Sequence, residues 1–227
     1  MKPILLILSL GLSIFSMAQS KLELVNIDQT KLVKDIMSTK TDQHETSIVY
    51  WFPDIYWDYF SAKDPKTLTP EIVNQFKEIL GNKSIFVVVS GKINPYTQKF
   101  EAKSEEELRK GFTVKFKDKT YKPIPESKLS GDLKVISSSL GIMFSRMLGD
   151  FGSGMIFFYL EITDANGQNI LDPYSDQEFT INLNSTKFTS HLPLPSLFTD
   201  SKCPNDGELF PANYEFCPYH GSKLIIQ

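Results

Sequence analysis

Two short segments near the C-terminus share one pattern, and together they contain both cysteines of the 227-residue chain. Each has a cysteine, a proline, a variable residue, an aspartate or histidine, and a glycine. In such a turn the chain curves back, so that the side chains at its first and fourth positions point at one ion. The final glycine supplies positive φ, which other residues adopt only at a steric cost. The pattern predicts a pair of metal-binding knuckles with four candidate ligands, Cys203, Asp206, Cys217 and His220.

The segment 203–224 resembles a zinc ribbon whose knuckles read Cys-Pro-x-Cys-Gly, and this resemblance covers 22 of the 227 residues. Cys203 and Cys217 match the first cysteine of each knuckle. Asp206 and His220 stand where the ribbon has its second and fourth cysteine ligands. Histidine binds zinc well, whereas aspartate is an uncommon ligand in structural sites. The resemblance implies a structural zinc ion as cofactor, and it does not extend to residues 19–200.

A disulfide between the same two cysteines is the alternative. Cysteines at matching places in facing knuckles come close together, which a disulfide also requires. Closing a loop of roughly 15 residues contributes about 3 kcal/mol, and a structural zinc ion contributes about 10 kcal/mol or more. An oxidising compartment favours the disulfide. A disulfide gives no reason for the aspartate and the histidine, so the sequence leaves both readings open.

The first 18 residues predict a secretory signal peptide. Lys2 provides the charged n-region, Ile4 to Phe15 form an apolar run, and Ser16 to Ala18 suit a cleavage site. The apolar run is shorter than the roughly 20 residues that a membrane span needs. We therefore predict a periplasmic or secreted protein that begins at Gln19 after processing and keeps no stable membrane anchor.

Composition and charge bear on the class of partner. The formal net charge is −3, so the chain has no electrostatic footprint for nucleic acid. A hydrophobic content of 41%, with 12% aromatic residues, is typical of a packed core. We expect a globular domain at residues 19–198 and a zinc-ribbon-like module at residues 199–227. The partner is an unidentified protein or glycan.

The pattern of helices and strands predicts an α+β fold. Apolar residues at helical spacing predict two main helices, Thr69–Leu80 and Asp132–Leu148. The β-branched run Ser84–Ser90 predicts a strand that is covered on both faces. Several strands follow one another near the C-terminus without intervening helices, which argues against a doubly wound parallel sheet. We predict a mostly antiparallel sheet packed by the two helices.

The densest aromatic segment, residues 50–60, offers a second function. Trp51 and Trp57 lie beside Asp54 and Asp58, and paired carboxylates next to aromatic rings serve sugar binding or glycoside cleavage. The alternative is an aromatic core, because aromatic side chains bury large areas. Exposure of both tryptophans along a groove that holds the two aspartates would favour the carbohydrate hypothesis. Their burial would count against it.

The sequence lacks the common catalytic motifs that would indicate an enzyme. The sequence has no Gly-x-Ser-x-Gly and no His-Glu-x-x-His, and its two cysteines belong to the knuckles. A zinc ion held by four protein side chains has no open position for substrate. We predict no catalytic residue. The leading hypothesis is an exported, non-enzymatic interaction or structural protein, and a redox-responsive tail is a further alternative.

Overall fold

The computed structural model describes residues 20–42 and 45–226. Residues 21–198 form one compact unit, and Ser20 with residues 199–226 belongs to a second one. We call these the main unit and the C-terminal module. The predicted signal peptide at residues 1–18 lies outside the described residues, as does His44. In the part of the chain that is described, every helix is too short or too polar to cross a bilayer.

The helices and strands of the main unit alternate irregularly along the chain. Its helices are α1 (Gln29–Ile36), α2 (Asp54–Lys63), α3 (Pro70–Leu80), α4 (Glu105–Gly111), α5 (Gly131–Leu148) and α6 (Asp150–Ser153). Its strands are β1 (Met37–Thr41), β2 (Thr46–Phe52), β3 (Ser84–Ile93), β4 (Phe100–Ala102), β5 (Phe112–Phe116), β6 (Lys119–Tyr121), β7 (Ile156–Leu160), β8 (Gln177–Leu183) and β9 (Thr186–Leu192). The predicted α+β class is confirmed.

The strands of the main unit form two antiparallel sheets. In the five-stranded sheet the order is β1-β2-β3-β4, and β7 pairs with the N-terminal half of β3. In the four-stranded sheet the order is β6-β5-β8-β9. Strand β3 is the centre of the larger sheet because it pairs with β2, β4 and β7. Its first eight residues are all buried, as the β-branched run predicts.

The two main helices begin and end where the sequence signals place them. Thr69 caps α3 by accepting a hydrogen bond from the backbone N–H of Ile72, and Ser130 caps α5 in the same way. Gly81 and Gly149 end the two helices with φ of 60° each. That backbone conformation favours glycine, since a Cβ atom there is sterically strained.

Aromatic rings join the two sheets into one core. Phe86, on β3, is fully buried, and its ring centroid lies 5.7 Å from that of Phe112 and 6.4 Å from that of Phe179. Trp51 meets Phe179 edge to face at 5.2 Å. Rings in such tilted contacts contribute beyond the area that they bury. The segment around Trp51 is therefore part of the main core.

Candidate metal centre

A small three-stranded sheet carries the C-terminal module. Its strands are β10 (Ser201–Lys202), β11 (Leu209–Phe210) and β12 (Ile225–Ile226), with β10 between the other two. The first knuckle connects β10 to β11, and the second precedes β12. The strands that flank the two knuckles therefore belong to one antiparallel sheet, and this sheet brings the two knuckles together.

The two knuckles share one hydrogen-bond pattern. The N–H of Cys203 donates to the carbonyl of Glu208, and the N–H of Cys217 donates to the carbonyl of Ser222, each over 2.8 Å. In both turns the glycine four residues after the cysteine donates back to the carbonyl of that cysteine, over 2.9 and 2.8 Å. The two glycines have φ of 79° and 66°. The repeated sequence thus forms the same turn twice.

Three of the four predicted ligands converge. The Nδ1 atom of His220 lies 3.5 Å from the Sγ atom of Cys203 and 3.4 Å from that of Cys217. The sulfur atoms of the two cysteines lie 3.6 Å apart, and both cysteines are free thiols. The ligand atoms of these three residues all lie within 4.8 Å of one another, close enough to hold a metal ion.

The triangle has the dimensions of a zinc coordination shell. Tetrahedral zinc with bonds of about 2.3 Å to sulfur and about 2.0–2.1 Å to nitrogen places two sulfurs about 3.8 Å apart. The same geometry places sulfur and nitrogen about 3.5 Å apart. A disulfide instead needs a sulfur–sulfur bond of about 2.05 Å. The observed separations of 3.6, 3.5 and 3.4 Å therefore fit a shared ion.

Asp206 lies at the edge of this group. Its Oδ2 atom is 3.6 Å from the Nδ1 atom of His220, and its Oδ1 atom accepts a 2.9 Å hydrogen bond from the N–H of Glu208. Among the described residues, the group whose ligand atoms all lie within 4.8 Å of one another consists of the two cysteines and His220. Asp206 is outside this group. The backbone bond to Glu208 fixes the carboxylate beside the imidazole.

Hydrogen bonds from the backbone of the second knuckle lower the pKa of the Cys217 thiol. Burial acts to raise the pKa of Cys217, but the amides of His220 and Tyr219 and the imidazole outweigh it, so that the pKa lies below its ordinary value. Burial raises the pKa of Cys203, although the amides of Asn205 and Asp206 oppose this. Metal ligation requires the thiolate. The surroundings of Cys217 therefore favour its thiolate form.

Asp206 is the negatively charged group of the site. Hydrogen bonding from the Glu208 amide lowers its pKa, and contacts with Cys203 and His220 act in the same direction. The carboxylate is therefore ionised at neutral pH. With two thiolates and a neutral imidazole, it would give a divalent ion and its four ligands a net charge of −1.

The apolar core of the module is very small. Within the described residues its buried cluster consists of the two cysteines, Phe210 and Leu224. The rings of Tyr214 and Tyr219 lie 6.0 and 6.1 Å from that of Phe210 but are largely exposed. Folds of under about 40 residues usually need a metal, a covalent link or oligomerisation for stability, so a core of this size would gain from a cross-link.

The aromatic segment at residues 50–60 is mostly interior. Trp51 is 3% exposed. The ring of Trp57 is packed against Phe52, Tyr56 and Phe76 at centroid distances of 5.6, 5.1 and 4.7 Å. Trp51 is buried and Trp57 is only partly exposed, which counts against a sugar-stacking surface.

The two aspartates of this segment line one pocket of about 360 Å³, together with Trp51 and residues 169 and 171–174. Both carboxylate oxygens of Asp58 accept hydrogen bonds from the Nζ atom of Lys77, at 2.5 and 2.6 Å. Burial raises the pKa of Asp54, and the charge of Asp58 adds to this effect while Lys77 opposes it. The sequence did not predict the role of Lys77. The pattern of apolar residues along α3 predicts a helix but does not show that Lys77 pairs with Asp58 on α2.

The comparisons with known proteins add no relative. No family model matches the chain, and no curated protein or solved structure matches it either.

Proposed function

We propose that this chain is an exported, non-enzymatic interaction or structural protein whose C-terminal module is held together by a structural zinc ion. The observation that carries this proposal is the triangle formed by two sulfurs and the Nδ1 atom of His220, with sides of 3.4 to 3.6 Å. Cys203, Cys217 and His220 would hold the ion, and Asp206 is the adjacent fourth donor. The ion would supply the cross-link that the small core lacks.

The donor set favours zinc over other common ions. Thiolate and imidazole ligands suit zinc, whereas calcium and magnesium prefer carboxylate and carbonyl oxygens. The disulfide alternative does not account for the place of His220 between the two sulfurs. A zinc ion with four protein ligands has no open position for substrate, which supports a structural role.

Metal analysis combined with thiol titration tests the proposal. Zinc per chain is measured on the purified protein. Reactive thiols are counted on the folded protein before and after chelation, and total free thiols are then counted under denaturing conditions. We expect one zinc per chain and two thiols that become reactive once the metal is removed. A protein without metal and without free thiols would contradict the proposal and indicate the disulfide.

A carbohydrate-binding function is the second candidate, and the pocket beside Asp54 and Asp58 is the observation that favours it. A pocket of about 360 Å³ falls within the range of small-ligand sites, which is about 300–1,000 Å³. Glycoside cleavage gains less support, because Lys77 engages both oxygens of Asp58. Calorimetric titration with neutral oligosaccharides tests binding, with Asp54→Asn as the site variant. We expect Asn at position 54 to weaken binding, and absence of any heat would reject this candidate.

A further inference from the structure

The longest helix of the main unit has an apolar outer face. On its inner face, Leu133 is buried, the hydroxyl of Ser137 bonds that of Tyr159 at 2.8 Å, and the Phe144 ring is stacked on Phe157. On the opposite face, Val135 is 65% exposed and Ile142 is 56% exposed. Helix α5 thus attaches to the main unit by one side and leaves large apolar side chains on the other.

The residues of the outer face follow the spacing of a helix-pairing seam. They recur at steps of three, four, three and four residues, and all of them are exposed: Asp132, Val135, Ser139, Ile142 and Arg146. Alternating steps of three and four are the spacing by which one helix packs against another along its length. Neither Asp132 nor Arg146 has an ion-pair partner within the residues that the structure describes.

The seam is complementary to itself when it is reversed. Asp132 and Arg146 lie seven residues on either side of Ser139 and carry opposite charges. Val135 lies four residues before Ser139, while Ile142 and Met143 lie three and four residues after it. A 180° rotation about an axis through Ser139, perpendicular to the helix, therefore places Asp132 opposite Arg146 of the rotated helix. It also places Val135 opposite the apolar residues that follow Ser139.

We propose that α5 is the interface of a homodimer in which a second copy of this chain packs antiparallel across a twofold axis at Ser139. Such an interface is isologous, so that each contact occurs twice. Asp132 pairs with Arg146 of the second copy at both ends of the seam, and Val135 packs against Ile142 and Met143 of the second copy. The small Ser139 side chains let the two helices approach at the centre.

The second copy fits this face better than an unrelated partner does. An independent partner would need no relation between the two ends of α5, whereas opposite charges at equal distances from the centre favour an antiparallel partner related by a twofold axis. The charged ends lie about 21 Å apart at 1.5 Å per residue. A single helix pair of this length makes a modest interface, so the dimer is expected to dissociate on dilution.

Charge reversal tests the pairing. Sedimentation velocity is measured over a concentration series for the purified protein and for the variants Asp132→Arg and Arg146→Asp. Each variant places two pairs of like charges across the axis, and we expect its dissociation constant to rise on the order of tenfold. An equimolar mixture of the two variants restores both attractive pairs in the mixed dimer. We expect the mixture to regain the association of the unmodified protein.

Ile142→Lys with Ile72→Lys as its matched control tests the apolar part of the seam. Ile72 lies on α3 and is 48% exposed, close to the 56% of Ile142. We expect only the change at Ile142 to abolish the dimer, with unchanged circular dichroism in both variants. The proposal is overturned by a monomer at every concentration or by equal effects of the two lysine variants. Failure of the charge-reversed mixture to associate would overturn it as well.

Discussion

The Nδ1 atom of His220 lies 3.5 Å from the Sγ atom of Cys203, although the two residues are 17 positions apart and belong to different knuckles. This contact joins the segment after β10 to the segment before β12. The imidazole also contacts the sulfur of its own knuckle, Cys217, at 3.4 Å. His220 is therefore the residue through which the two knuckles share one site.

The first prediction ranks the ligands. We expect His220→Ala to abolish stoichiometric zinc binding, because it removes the nitrogen that faces both sulfurs. Asp206→Asn keeps the size of the side chain and its backbone bond but removes the charge of the fourth donor, so it should weaken zinc affinity by at least the roughly 10- to 100-fold that loss of a supporting group costs. Competition with a chromophoric chelator measures both affinities. Unchanged zinc affinity in Asp206→Asn would show that Asp206 is not a ligand and that the site has only three protein donors.

The second prediction concerns thiol reactivity in the chelated protein. The Cys217 thiol has a lowered pKa and the Cys203 thiol a raised one, and the thiolate is the nucleophile. We expect iodoacetamide to modify Cys217 before Cys203 at neutral pH. Peptide mapping by mass spectrometry after short exposures gives the order. The unfolded protein is the control, since both thiols should then react at similar rates.

Sequence reasoning could identify the site because its information is local. The spacing within each knuckle fixes a turn in which the first and fourth residues face one side, and the repetition of that turn indicates that two such turns meet. It could not give the position of Asp206 at the edge of the group. That position depends on a backbone hydrogen bond from Glu208, which no spacing rule specifies.

The fold was predictable where local signals and burial agree. Helix α3 has a cap, a first-turn proline, an apolar stripe and a terminal glycine, and the structure places it at Pro70–Leu80. The division of the strands between two sheets was not predictable, since partners such as β5 and β8 are far apart in the chain. The role of Trp51 follows from that pairing, because its ring meets Phe179 on the second sheet.

The third prediction tests the aromatic contact between the two sheets. Phe86 is fully buried on β3 and touches rings on β5 and β8. We expect Phe86→Ala to lower the free energy of unfolding by about 3–5 kcal/mol through lost burial and a cavity. Denaturation in guanidinium chloride measures the change. Ile79→Ala is the control, since Ile79 is 36% exposed and its truncation should cost distinctly less.

The fourth prediction is a pH dependence that arises from Asp35. Its Oδ2 atom accepts a 2.7 Å hydrogen bond from the N–H of Ser196, yet burial outweighs that bond and raises the pKa of the carboxyl group. A carboxyl group whose pKa is higher in the folded state favours folding at low pH. That contribution is lost as the pH rises through the folded-state pKa. Asp35 should therefore destabilise the protein at neutral pH relative to acid pH.

The variant Asp35→Asn isolates this effect, because an amide oxygen can still accept the bond from Ser196 but does not titrate. We expect the unfolding free energy of the variant minus that of the unmodified protein to be larger at pH 7 than at pH 4, because only the unmodified protein loses stability as Asp35 ionises. Urea denaturation at the two pH values measures the difference, and subtraction cancels the titration of all other groups. A difference that is the same at both pH values would mean that Asp35 ionises equally in the folded and unfolded chains.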